Sequence, residues 1–157
     1  MDAKAFQDFY PDDVSHCYGC GRLNADGLHI KSHWENDGDA LCIFEPSPHL
    51  TAIPGYVYGG LIASLIDCHA TGTASAAAYR AQRRDMGSEP ALRFLTASLQ
   101  VDYLRPTPLG VPLEVRAHVE DVKGRKVTVT ATVSANGEVC ARGRVVAVQM
   151  PDRMLVR

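Results

Sequence analysis

One carboxylate stands alone in this sequence. From Gly59 to Tyr79 the chain reads GGLIASLIDCHATGTASAAAY, rich in Ala and without Lys, Arg or Glu, and Asp67 is its single formal charge. Burying an unpaired carboxylate costs several kcal/mol, so Asp67 needs either a structural partner or a chemical task. The chemical task open to such a carboxylate is catalysis. The structural alternative is a carboxylate satisfied by a neighbouring backbone amide or paired with an Arg across a subunit boundary, and spacing alone leaves both open. Gly59 and Gly60 stand seven or eight residues earlier, about two turns or 11 Å along a helix. Paired glycines opening a helix allow close backbone approach and leave N–H groups pointing outward. With the helix dipole, those groups favour a developing negative charge such as an ester or thioester oxyanion.

Other constellations read more plainly. Cys17-x-x-Cys20, followed by His29 and His33, has the residue types of a zinc site. The loop is shorter than in zinc fingers, and on a predicted strand His29 and His33 stand about 13 Å apart, too far to share one ion. No helix or βαβ unit follows that would suit a thioredoxin-like pair. The cysteines therefore read as small hydrophobes in a tight turn, with no metal expected. His69 follows Asp67 by two residues and so points to another helix face, as a core histidine would. Ser64 lacks the G-x-S-x-G surroundings of a nucleophile elbow. Lys123-Gly124-Arg125-Lys126 is a cationic hairpin tip, and Arg105 closes a long strand.

These residues need elements to position them, and 157 residues suit one domain, expected over 1–157 with an arm and turn at 1–25 and a core at 26–150. Hydrophobic residues are 46% and charged residues 22%, a globular balance. A net charge of −2 argues against a broad nucleic-acid footprint. Five cysteines at this length, with no basic stretch and apolar run after Met1, predict reduced thiols, no signal peptide and a cytoplasmic setting. Strand-like runs from Leu28 to Trp34 and from Ala40 to Phe44 flank Asn36-Asp37-Gly38-Asp39, a hairpin centre. The apolar stretch from Gly59 to about Tyr79 predicts a buried helix, because Asp67 and His69 make a membrane span costly. Arg93–Leu104, Leu113–Val122, Val127–Val133 and Val139–Val148 then predict a meander of long antiparallel strands. The expected class is α+β, a sheet curling round one helix.

The run Gly55-Tyr56-Val57-Tyr58-Gly59-Gly60, continuing through Leu65-Ile66-Asp67, resembles the G-x-x-H-G-G-x-x-x-x-L-x-D signature of hotdog-fold, PaaI-like thioesterases. Cys17-Tyr18-Gly19-Cys20-Gly21, with Asn24 and Gly27-Leu28, resembles the opening of one branch, and Tyr103-Leu104-Arg105-Pro106 resembles the family's strand end. The likeness covers roughly residues 15 to 150. It implies a hotdog fold and an acyl-CoA thioesterase needing no cofactor beyond the coenzyme A of its substrate. Asp67 would be the general base or nucleophile, the Gly59 amide would polarise the thioester carbonyl with Gly60 completing the turn, and Thr96 would hold the water. The implied site lies between two subunits of a homodimer or dimer of dimers, with Asp67 and Thr96 from opposite chains. Substrate and coenzyme A contacts would fall on Tyr56, Val57, Arg105, Gly124, Arg125 and Lys126, with neither nucleic acid nor membrane as partner. Two positions depart from the pattern. Tyr58 replaces the usual His and does not titrate near neutrality as His does, though its hydroxyl could still donate to a carbonyl. Thr51 or Ala52 stands where several members carry Asn or Gln. The Tyr58 substitution keeps a non-catalytic acyl-CoA or small-ligand binding protein in view. A hotdog hydratase is disfavoured, since Asp67 and His69 do not share a helix face.

Overall fold

Period-two alternation dominates the second half of the chain. In Leu113–Lys123, Leu113, Val115 and Ala117 point inward while Glu114, Arg116 and His118 face solvent. The computed structural model describes residues 3–151 and 154. Its strands are β1 (His33–Trp34), β2 (Asp39–Phe44), β3 (Phe94–Tyr103), β4 (Leu113–Lys123), β5 (Lys126–Ala135) and β6 (Glu138–Gln149), with one helix, α1 (Gly59–Ala81), between β2 and β3. They form one antiparallel sheet in the order β1-β2-β4-β5-β6-β3. The sheet wraps α1, whose Leu61, Ile62, Leu65 and Ile66 are fully buried. Each such side chain contributes roughly 1.5–3 kcal/mol through burial.

Two details differ from the sequence reading. The run from Leu28 is strand only at His33–Trp34, because Leu28 and Ile30 donate their N–H groups to Tyr18 and Gly19, at 2.8 and 2.9 Å. Between them His29 takes a positive φ of 54°, which breaks the extended chain. The strands after α1 are also not a simple meander: β4, β5 and β6 are, but β3 crosses to pair with β6 and forms the far edge. No helix among the described residues is long and apolar enough to cross a membrane.

A buried polar chain anchors α1. His69 is fully buried; its Nε2 donates to the Ala40 carbonyl at 3.1 Å and its Nδ1 accepts from Ser32 Oγ at 2.7 Å. Ser32 Oγ in turn accepts from Gln7 Nε2 at 2.9 Å. Every member is satisfied, so this network fixes the helix against β2 and the N-terminal arm without an orphaned polar atom. His69 is the core histidine its spacing predicts.

Burial pushes the His69 pKa down from 6.5 to about 4. The unfolded chain therefore takes up a proton first as pH falls, and stability drains away between roughly pH 6.5 and 4. Urea unfolding should give a free energy about 2 kcal/mol lower at pH 5 than at pH 7 from this residue. His69→Gln should be less stable at pH 7 but lack this increment, and an unchanged pH slope in the variant would contradict the assignment.

Candidate active site

The isolated carboxylate has a partner. Thr96 Oγ1, near the start of β3, donates to Asp67 Oδ1 at 2.5 Å, and Thr71 Oγ1 lies 2.9 Å from Thr96 Oγ1. With Asp67 ionised, the single Thr96 hydrogen is spent on the carboxylate, so Thr71 must be the donor to Thr96. Thr71 follows Asp67 by four residues, one helical turn along the same face. Thr96 lies just before a register shift in the β3–β6 pairing, between Thr96 and Ser98, the kind of bulge that re-aims a side chain beside a site. Asp67 Oδ2 has no hydrogen-bond partner among the described residues. The carboxylate is half-buried and lines a cavity of about 330 Å³, walled partly by Leu92, Phe94 and Leu95 and by Tyr10 and Val14 of the N-terminal arm.

Asp67 and Thr96 therefore belong to one chain, which corrects the expectation that they come from opposite subunits. Strand β3 reaches back along its own helix, antiparallel to it. At the other end of β3, Tyr103 Oη donates to the Gly59 carbonyl at 2.7 Å. Gly59 and Gly60 are exposed in the first turn of α1, after Tyr58 as N-cap in extended conformation. Their N–H groups precede the first helical bond, so both point outward with the positive end of the dipole. Eight residues separate Gly59 from Asp67, about 12 Å along the axis. One chain cannot present its own Gly59 N–H and its own Asp67 to the same carbonyl group.

The remaining predicted residues fall into two places. Tyr58 makes no cap hydrogen bond; its ring packs on the core and folds over Gly60, where an added Cβ would stand 2.4 Å from the ring. Val57 is buried and donates to the Thr107 carbonyl at 2.9 Å, while the exposed Tyr56 bridges to Pro108, so this loop is tied to the end of β3's following turn. Thr51 Oγ1 accompanies the same loop, 3.3 Å from the Tyr56 carbonyl. Arg105 pairs with Glu138 at 2.7 Å near the Tyr103 end. Gly124, Arg125 and Lys126 lie at the opposite end: Lys126 faces Val148 of β6, which faces Leu95 of β3. Two strand spacings, about 10 Å, thus separate Lys126 from the Thr96 neighbourhood. Arg125 caps the Met150 carbonyl at 3.0 Å. Ser64 spends its hydroxyl on the Gly60 carbonyl at 2.9 Å and is no nucleophile. His29 and His33 bond the Asn24 and Ala3 carbonyls and do not join the cysteines.

A family model described as the thioesterase superfamily matches residues 54–142, more than half of the chain, from the loop before α1 into the first half of β6. The chain belongs to the thioesterase superfamily. A superfamily protein from Shewanella loihica PV-4 of known crystal structure is 48% identical, with 90% of this chain and 100% of that one aligned at a TM-score of 0.68. The Escherichia coli PaaI protein aligns over 79% of this chain and 81% of its own at a TM-score of 0.63 and 16% identity, which establishes the shared hotdog fold alone. Acyl-coenzyme A thioesterase THEM4 of Xenopus laevis is 33% identical over 98 residues, 62% of this chain but only 38% of that protein. The chain therefore spans well under half the length of this curated relative.

Sequence reasoning missed Thr71, Tyr103 as a helix contact, and the arm as a cavity wall. The four-residue step from Asp67 could have found Thr71; the other two depend on long-range packing. The Tyr58–Gly60 stack is testable by stability. Gly60→Ala should cost about 1–3 kcal/mol in wild type through overpacking. The cost should fall below about 1 kcal/mol in a Tyr58→Ala background, read as coupling in a double-mutant cycle. Equal costs in both backgrounds would contradict the stack.

Proposed function

We propose that the protein hydrolyses coenzyme A thioesters of compact apolar acyl or aryl groups, in a site completed by a second copy of the chain. The observation that carries this reading is the Asp67 carboxylate, held at Oδ1 by Thr96 and lining an apolar-walled cavity with Oδ2 uncommitted. Superfamily membership supports the same chemistry.

Asp67 Oδ2 takes a proton from water, and the water oxygen adds to the thioester carbon. The charge that develops on the carbonyl oxygen needs a donor that Asp67's own chain holds about 12 Å away. A second copy supplies it. Strand β3 is an open edge ten residues long, with Leu99 and Tyr103 38% and 57% exposed. A long uncovered edge of this kind invites pairing with its equal. Two β3 edges paired antiparallel about a two-fold axis set the Thr96 end of one beside the Tyr103 end of the other. Each Asp67 then meets Gly59 of the second copy, because Tyr103 carries Gly59 with it. Collapse of the tetrahedral adduct breaks the C–S bond, and the proton on Asp67 passes to the departing thiolate. The products are a carboxylic acid and coenzyme A.

The acyl group would lie against Leu92, Phe94 and Tyr10. Cations for the nucleotide phosphates would come from Arg125 and Lys126 on the Asp67 side, and from Arg105 of the second copy once freed from Glu138. Tyr58 acts as packing that holds the Gly59–Gly60 turn, so the reading does not need a histidine there.

Thiol release from a panel of acyl-coenzyme A esters should detect turnover. Asp67→Asn should lower kcat at least ~100-fold with the fold intact by circular dichroism, and Thr96→Val about 10-fold. Saturable binding without thiol release, or an Asp67→Asn variant as active as wild type, would overturn the proposal.

A further inference from the structure

Three sulfur atoms meet beside the site. Cys17 and Cys20 come from the N-terminal turn and Cys68 from α1, and their Sγ atoms all lie within 4.8 Å of one another. Cys17 and Cys68 stand 3.9 Å apart, sulfur to sulfur. The edge of a tetrahedron with metal–sulfur bonds of ~2.3 Å is about 3.8 Å, so this pair already has ligand spacing.

The surroundings are built for that spacing. An added Cβ at Gly19 would stand 2.3 Å from Cys68 Sγ, so the turn must carry glycine there to close over the helix thiol. The Gly21 N–H donates to the Cys17 carbonyl at 2.8 Å, and the flanking Tyr18 and Gly19 carbonyls accept from Leu28 and Ile30 at 2.8 and 2.9 Å, locking the turn on both sides. The Cys20 and Gly19 backbone N–H groups lie against Cys17 Sγ. Backbone N–H donors aimed at a sulfur stabilise a thiolate ligand and orient it. All three cysteines also line the cavity that holds Asp67, so water reaches the cluster from that side.

We propose that Cys17, Cys20 and Cys68 form a trithiolate site for a soft, tetrahedral divalent ion of the zinc type, with water completing the coordination from the cavity. Convergence of three sulfurs, rather than two, favours a metal over a single disulfide, which would strand the third thiol. Zinc is redox-inert and suits sulfur donors in this geometry. The ion would staple the N-terminal arm to α1 one residue from Asp67, and so fix one wall of the cavity. The proposal departs from the reading of the Cys17–Cys20 turn as packing only: the third sulfur lies 51 residues away, where no spacing rule points to it.

The whole chain, reduced under anaerobic conditions and loaded with zinc, should retain one equivalent after passage over a weak chelator. Cobalt in its place should show the thiolate-to-metal charge transfer and intense visible bands of a tetrahedral sulfur site. Cys17→Ser removes an exposed ligand with little risk to folding and should weaken zinc binding at least ~100-fold, more than loss of an outer-shell contact does. Cys140→Ser, whose sulfur bonds the Glu138 carbonyl instead, should bind zinc as wild type does. The proposal is overturned if wild type loses its zinc to the weak chelator, or if Cys17→Ser holds zinc equally well. An intramolecular disulfide among these three cysteines in anaerobically isolated protein would also overturn it.

Discussion

Two hydroxyl contacts from one strand to one helix organise this molecule. At one end of β3, Thr96 holds the Asp67 carboxylate at 2.5 Å; at the other, Tyr103 holds the Gly59 carbonyl at 2.7 Å. The helix keeps those two points about 12 Å apart and cannot bring them closer. A buried single helix gives rigidity, and the same rigidity keeps Asp67 and the Gly59 N–H of one chain from serving one carbonyl group. In the proposed dimer the open β3 edge resolves the conflict, since antiparallel pairing of two copies would turn a separation along one helix into a juxtaposition across two.

The packing around this arrangement serves the same end. The helix is apolar on nearly every face, so its orientation cannot come from an amphipathic stripe. Specific polar contacts set it instead: the Gln7–Ser32–His69–Ala40 chain on the β2 side and the Thr71–Thr96–Asp67 chain on the β3 side. The N-terminal arm participates in the first through Gln7, and through Tyr10 and Val14 it walls the cavity beside the second. The three clustered thiols join the same arm to the same helix. An arm that is polar and turn-rich in sequence thus becomes a structural part of the candidate site.

Much of the fold was legible in the residues. The strands from Leu113 onward announce themselves because alternate side chains must face core and solvent in turn. The helix is legible because twenty-one residues with a single charge have few other places to go, and it ends at Ala81, close to the predicted Tyr79. The early strand is shorter than the apolar pattern suggests, because hydrogen bonds from Leu28 and Ile30 to the cysteine turn hold that segment, and hydropathy is blind to them. Residue types point to Thr96 beside Asp67 but not to the chain that supplies it, and in the fold the two belong to one chain. Strand periodicity says which face a side chain takes and nothing about whether the strand lies on its own helix or a neighbour's. Tyr103 carried a strand-end motif, yet its grip on Gly59 depends on the crossover of β3 to the far edge, which local pattern does not encode.

The central claim is that Asp67 and Gly59 act together only across two copies. Gly59→Pro removes the N–H at a first-turn position whose backbone suits proline, after a residue already extended at φ −72° and ψ 147°, with the new Cβ 3.3 Å from Tyr103 Oη. Asp67→Asn and Gly59→Pro proteins should each be inactive alone. Mixed after reversible dissociation, half of the dimers would be hybrids, each with one site intact and one doubly impaired, so about a quarter of wild-type thioester hydrolysis should return. Activity that stays at the level of the separate variants, in mixtures where native mass spectrometry detects the hybrid, would contradict a site shared between chains.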